Sequence, residues 1–146
     1  MSSAYGFSPF GRSQQFANAY RQVEVETGVS SASPHRLVLM LYDGFLESVG
    51  RARVAMGNGA VDVKCAQIGR AVRILDEGLK ASLNLDAGGD LAANLHDLYA
   101  YAMVRLTQAN LRNDAASLDE VERLIRPLRD AWATIGAAVS HEGTGT

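Results

Sequence analysis

The chain has 146 residues and a mass of 15.6 kDa, the size of a single domain that buries its own core. Hydrophobic residues make up 47% of the sequence and charged residues 21%, which excludes wholesale disorder and a fibrous repeat. The net charge of −2 gives no electrostatic reason to expect a nucleic acid or an anionic membrane surface as partner.

The N-terminal region is unusually aromatic. Of the ten aromatic residues in the chain, five lie within the first twenty positions: Tyr5, Phe7, Phe10, Phe16 and Tyr20. Residues 1–15 have no hydrophobic period and predict a flexible N-terminal arm, whereas residues 16–25 show helical spacing and predict a short helical segment. Two interpretations remain open: ordinary packing of these residues on the domain, or a detachable cover over an apolar groove.

The first long helix is predicted by the Ser33-Pro34 pair, because serine caps a helix N-terminus and proline fits the first helical position. Its apolar residues recur every three or four positions until Gly57-Asn58-Gly59 ends it. The second helix carries Ile68 to Leu79 and is predicted to end in the turn-rich stretch 84–89.

The third helix is predicted from Leu91 to Asn113-Asp114, where either residue is suited to cap the next helix. The fourth runs from Leu118 to Val139 and contains Pro127, at which we expect a bend rather than an end. Four helices of similar length with short connections predict an all-α fold, an antiparallel up-down four-helix bundle preceded by the short helical segment and the arm. The expected division is a flexible arm over 1–15, a helical-bundle domain over 16–140 and a flexible tail over 141–146.

Side chains able to carry catalysis do not cluster in the sequence. His35, His96 and His141 form no i, i+4 pair, and no Glu-x-x-His motif of the di-iron bundles is present. The Gly88-Gly89 stretch lacks the lysine and the strand of a phosphate-binding loop, and is better explained by a turn between helices. We therefore expect no enzyme activity, no cofactor and no metal site.

The remaining polar features favour a solvated surface in a reducing compartment. Cys65 is the only cysteine, so it forms no internal disulfide, and we expect it to be half-buried while Lys64 points outward. Basic side chains on the second and fourth helices alternate with acidic ones, which argues against nucleic-acid binding. No secretory signal and no membrane-spanning run is visible, so we expect a cytoplasmic protein without an integral membrane segment.

Apolar residues exceed what a bundle core requires. The first helix has six in succession, Leu37 to Tyr42, and the third adds Tyr99, Tyr101 and Met103 beside its core line. This surplus has two interpretations that the residues alone leave open. Either the N-terminal turns and the loops cover it, or it forms an elongated groove for an amphipathic segment of another protein.

Several motifs together resemble the flagellin-specific export chaperones, the FliS family. They are SASPHRLV at 31–38, MLYDG at 40–44, ILDEGLKASL at 74–83, the Gly88-Gly89 pair, ANLRND at 109–114 and Trp132. The resemblance spans residues 16–136 with family-like offsets and without a large insertion. It implies an antiparallel helical bundle that binds the disordered C-terminal segment of flagellin in the cytosol, prevents premature polymerisation and delivers it to the type III flagellar export gate.

The resemblance also implies site residues. It places Phe16, Tyr20 and Val23 in a segment that covers the groove until the client displaces it, and leaves Tyr5, Phe7 and Phe10 without a counterpart. Asn94, Arg105 and Asn110 are candidate polar client contacts, with the bundle's own loops as their alternative partners. The candidate groove residues, some of which must belong to the core, are Ile68, Val72, Leu75, Leu79, Leu95, Leu98, Tyr99, Met103 and Leu106.

The alternative to a flagellin chaperone is a bundle whose extra apolar stripe makes a homodimer or a scaffold contact. A groove filled by the chain's own arm predicts a monomer, whereas a self-complementary stripe predicts a dimer. An enzyme is a third class, and no polar constellation in the sequence supports it.

Overall fold

The structure, a computed structural model, describes residues 33–144 and the side chains of residues 33–136. The predictions for the arm and for the covering segment with Phe16, Tyr20 and Val23 lie outside the described residues. The described part of the chain consists of helices without a strand, so the predicted all-α class is confirmed. The helices are α1 (Pro34–Gly57), α2 (Val61–Arg73, continued by a π-helical segment Ile74–Lys80), α3 (Leu85–Arg112) and α4 (Ala115–Thr144).

The predicted boundaries of α1 are confirmed, and local chemistry explains both. The Ser33 hydroxyl oxygen accepts a hydrogen bond from the backbone N–H of Arg36 at 3.1 Å, and Pro34 occupies the first helical position. At the other end Asn58 is the C-cap residue, followed by Gly59 with a positive φ of 71°.

The C-terminal third of the second helix is π-helical over Ile74–Lys80, which periodicity did not predict. A π-helix closes its hydrogen bonds five residues apart and rotates the side chains that follow relative to an α-helix. Ile74, Leu75, Gly78 and Leu79 are all buried in this segment, so two adjacent pairs face the interior.

The third helix starts earlier than predicted. The Asn84 side-chain oxygen accepts from the backbone N–H of Ala87 at 3.0 Å, so residues 85–88 form a first turn rather than a loop. That turn is interrupted at Gly89, whose φ of 58° and ψ of −137° are not helical. The long helix that packs on the core therefore follows Gly89, close to the predicted start at Leu91.

The junction between α3 and α4 lies at Asn113-Asp114 as predicted, and of the two residues Asp114 caps α4 while Asn113 ends α3. Asn113 takes the left-handed conformation with φ 51°, which ends α3. The Asp114 carboxylate accepts from the Ala116 N–H at 3.0 Å and from the Ser117 hydroxyl at 2.9 Å. These hydrogen bonds, the Ser117 one first, lower the pKa of Asp114. Helix α4 then continues through Pro127 to Thr144 and includes the first four residues of the predicted tail.

The core lies between the four helices and draws fully buried side chains from each of them, such as Phe45, Leu75, Leu106 and Ile125. Each helix contacts the next along the chain, and α1 also packs against α4. The α1–α4 contacts run in opposite order along the two helices: His35 with Trp132, Asp43 with Arg129, and Arg53 with Glu122.

Candidate functional site

An apolar pocket opens at the end of the bundle where α1 begins. Its volume is about 270 Å³, and all four helices and the α2–α3 connection contribute to its walls. Leu91 projects beside it with 68% of its surface exposed. The lining residues are Val38, Tyr42, Leu79, Ser82, Leu83, Asn84, Gly88, Leu91, Ala92, Leu95, Tyr99 and Trp132.

Two buried tyrosines form one wall of this pocket. The Tyr42 and Tyr99 hydroxyl oxygens lie 2.6 Å apart, so one hydroxyl donates to the other. Burial raises the pKa of both groups, a shift that the hydrogen bond opposes at Tyr42 and reinforces at Tyr99. Both side chains are therefore neutral at physiological pH, and the wall is apolar apart from one hydroxyl pair.

A second wall is the indole of Trp132, which is tied to the first turn of α1. The Trp132 Nε1–H donates to the backbone oxygen of His35 at 3.0 Å, and His35 Nε2 lies 2.7 Å from the backbone oxygen of Trp132. The two rings are also stacked, with centroids 4.6 Å apart and planes 3° from parallel.

Three of the predicted groove residues, Leu79, Leu95 and Tyr99, line this pocket. The other six do not. Ile68, Leu75 and Leu106 are buried in the core, whereas Val72 and Met103 are partly buried and pack against it, and Leu98 is half-buried.

The three candidate polar contacts have different environments. Arg105 donates through Nε to the Glu120 carboxylate at 2.6 Å, and the Tyr101 hydroxyl donates to the same carboxylate at 2.6 Å. These two bonds, the Tyr101 one first, lower the pKa of Glu120 and join α3 to α4. Asn110 accepts from Cys65 Sγ at 3.4 Å and from Lys64 Nζ at 3.0 Å, so its contacts are with the bundle itself. Asn94 is exposed.

Two expectations about α2 are wrong, because Lys64 packs against the C-terminal end of α3. Cys65 is exposed, whereas Lys64 is only 5% exposed. The Lys64 ammonium donates to Asn110 O and to Asn113 Oδ1 at 2.6 Å, where it completes the C-terminus of α3. Arg70 is also buried, and it donates to the backbone oxygen of Gly44 at 2.9 Å and to the Ser48 hydroxyl.

Nine of the twelve lining residues were not among the predicted groove residues, and the large apolar ones among them are Val38, Tyr42, Leu83, Leu91 and Trp132. Val38 belongs to the uninterrupted apolar run of α1, and Leu83 and Leu91 flank the turn-rich stretch between α2 and α3. The feature of the sequence that could have identified Val38, Leu83 and Leu91 is their position near predicted helix ends. Apolar residues next to helix ends meet at one end of a bundle when consecutive helices reverse direction.

A shallower apolar depression lies at the turn between α1 and α2 and includes Val54, which is 63% exposed, and Val63. Val54 follows Val38 by sixteen residues, or about 24 Å along α1. This separation makes Val54 a suitable control position for tests of the pocket.

Groups that hold metals are not found in residues 33–136, where no three histidine, cysteine or carboxylate side chains converge. None of the described helices has an apolar stretch long enough to cross a bilayer. The fold and the pocket together define a class of protein, a small helical bundle with an apolar pocket at one end.

Comparison with known proteins identifies the family within that class. The family model described as "Flagellar protein FliS" matches residues 16–139. The flagellar secretion chaperone FliS of Salmonella typhimurium is 46% identical over 124 residues, which are 85% of this chain and 92% of that protein. FliSB of Pseudomonas aeruginosa is 42% identical over 77% of this chain and 89% of its own length, and FliS of Bacillus subtilis is 38% identical over 78% and 80%. The chain belongs to the FliS family.

Proposed function

We propose that this protein is a cytoplasmic, non-enzymatic chaperone that binds the disordered C-terminal segment of flagellin. In this proposal the bound segment is kept from premature polymerisation and is delivered to the type III flagellar export gate. Family membership supports the class of activity, and the relatives named above are called flagellar secretion chaperones. The observation that carries the proposal is the pocket, which offers apolar side chains from all four helices to a partner.

Apolar contacts suit such a client. A disordered segment pays its ordering entropy when it binds, so burial of its apolar side chains has to supply the affinity. An amphipathic helix presents side chains at i, i+3 and i+4, and one of these fits a pocket of this size while its neighbours contact exposed Leu91. In the same proposal, residues 16–25 with Phe16, Tyr20 and Val23 cover the site until the client displaces them, and the free chaperone is a monomer.

The direct test is calorimetric titration of the chain with a peptide of the flagellin C-terminal segment. We expect binding at micromolar or lower concentration, and its absence refutes the proposal. Leu91→Asp places a charge beside the pocket without disturbing the core, so we expect affinity to fall at least tenfold, or about 1.4 kcal/mol. Val54→Asp is the matched control, because Val54 has similar exposure and lies at the distant α1–α2 turn.

Leu91→Asp is preferable to changes at Leu79 or Tyr99. Both of those side chains are 1% exposed, so a charge there destabilises the fold and confounds the measurement. Light scattering of flagellin with and without the chaperone tests the effect on polymerisation. The same measurement on the chaperone alone separates a monomer from the homodimer or scaffold alternative.

A further inference from the structure

The contact between His35 and Trp132 is more elaborate than the packing of two peripheral rings requires. Because the Trp132 carbonyl only accepts, His35 Nε2 is the donor of the 2.7 Å hydrogen bond, which sets the imidazole tautomer. The indole N–H returns a bond to the His35 carbonyl, and the stacked rings complete the contact. We call this arrangement the His35–Trp132 clasp.

Gly136 completes the clasp from the same face of α4, one turn after Trp132. A Cβ at position 136 would overlap Cε1 and Nδ1 of the His35 ring. Since any side chain there overlaps the imidazole, the ring packs against the bare backbone of α4. Glycine within a helix lowers helix stability, and at position 136 it is required because a larger residue would collide with the His35 ring.

The clasp acts on a part of α4 that has lost one of its helical restraints. Pro127 has no N–H, so the carbonyl of residue 123 lacks its usual intrahelical donor. The turns beyond Pro127 are held to α1 by the clasp and by the Arg129 Nε to Asp43 Oδ1 ion pair at 2.7 Å. Trp132 belongs to these turns and forms the α4 wall of the pocket.

We propose that His35 is a positioning residue that holds the Trp132 indole as a preformed wall of the client pocket. This inference rests on the proposed function for the identity of the client. A wall set before binding removes the cost of ordering a large side chain when the client arrives, and so raises affinity. The client side chain that it contacts is apolar, because most of the residues that line the pocket with Trp132 are aliphatic or aromatic, such as Val38 and Leu95, whereas only Ser82 and Asn84 are polar.

Trp132 is the only tryptophan of the chain, so its fluorescence reports on this wall alone. His35→Phe retains a ring for stacking but removes the donor to the Trp132 carbonyl. Gly136→Ala keeps both the His35 and the Trp132 side chains, and its added methyl group displaces the imidazole. Gly50→Ala is the matched control, because no atom lies within 4 Å of a Cβ built there.

In the free protein we expect both test variants to shift Trp132 emission to longer wavelength and to increase its quenching by acrylamide, while Gly50→Ala matches the wild type. In titrations with the flagellin peptide, well below the unfolding midpoint, we expect the Kd of both variants to rise about three- to tenfold, as for one lost hydrogen bond. A merely structural role predicts lower thermal midpoints with unchanged emission and Kd.

Two results overturn the inference. One is a wild-type Kd in both His35→Phe and Gly136→Ala, which leaves the proposed function intact. The other is unchanged acrylamide quenching in both variants, which is measured without any client. A wild-type chain that binds no flagellin peptide refutes the proposed function, and with it the client contact of Trp132, whereas the quenching data still decide whether His35 positions the indole.

Discussion

The buried hydroxyl pair of Tyr42 and Tyr99 permits a sharp test of the packing described above. The two side chains are 4% and 1% exposed, and each hydroxyl has the other as its partner at 2.6 Å. Replacing either tyrosine by phenylalanine keeps the ring but leaves the remaining hydroxyl buried without that partner. The expected cost is about 1–3 kcal/mol of unfolding free energy for each single variant.

The double variant Tyr42→Phe/Tyr99→Phe removes both hydroxyls and leaves no orphaned group. We therefore expect it to be destabilised by less than the sum of the two single variants, with a coupling of about 1–3 kcal/mol. The measurement is urea unfolding at pH 7 followed by circular dichroism, with all four proteins analysed at a common m-value.

The same pair predicts the alkaline limit of stability. Burial raises the pKa of both tyrosines in the folded protein above the ordinary value of about 10. Because the unfolded chain ionises first, the free energy of unfolding is unaffected by these groups below about pH 10 and falls as the pH rises beyond it. The double phenylalanine variant should lose less stability than the wild type between about pH 9 and 11.

Two results of the urea experiment would refute the burial argument. One is a double variant whose loss of unfolding free energy equals the sum of the two single losses, and the other is single variants that each cost less than about 0.5 kcal/mol. Either result would show that the remaining hydroxyl finds water in the pocket.

Three further predictions concern other parts of the fold. Hydrogen bonds from Arg53 first, and then from Arg126, lower the pKa of Glu122, so its stabilisation is present above about pH 4.3 and lost below it. Glu122→Gln should therefore lower the free energy of unfolding by about 0.2–1 kcal/mol at pH 7 and make it fall less steeply below about pH 4.3. The same steepness as in the wild type contradicts this prediction. Lys64→Met should cost about 1.5–3 kcal/mol in urea unfolding, because its ammonium completes the end of α3, and a neutral effect would mean that the buried charge contributes nothing. Gly89→Ala should cost about 1–3 kcal/mol because residue 89 has a positive φ, whereas Gly50→Ala should stabilise the fold by about 0.5–1 kcal/mol. If both variants raise or both lower the thermal midpoint, the positive φ of Gly89 is contradicted.

Local features of the fold could be predicted because they depend on residues close in sequence. Ser33-Pro34 begins α1 by capping within one turn, and Asn113-Asp114 separate α3 from α4 by a left-handed residue and a side-chain cap. The helical class follows from apolar spacing for the same reason, since period depends on neighbours three and four positions away. The early start of α3 at Leu85 was missed because Gly88-Gly89 suggests a turn, while Asn84 is also able to cap a helix.

The candidate site depended on information that spacing does not hold. An apolar period marks the buried face of a helix, so it selected core residues such as Ile68 and Leu106 together with true pocket residues such as Leu95. The π-helical segment Ile74–Lys80 changes the direction of the side chains at the end of α2. The burial of Lys64 depends on the backbone oxygen of Asn110, which is distant in the sequence.

By itself, the sequence determined the helical class, the cap residues and the resemblance to the FliS family, because each depends on short-range patterns or on motifs at set offsets. Only the tertiary structure decided which surplus apolar residues form a pocket. Val38, Leu95 and Trp132 belong to three helices and meet because the helices pack side by side, with α1 and α4 joined by the His35–Trp132 clasp. Contacts over such sequence separations arise from packing and leave no periodic signal in the chain.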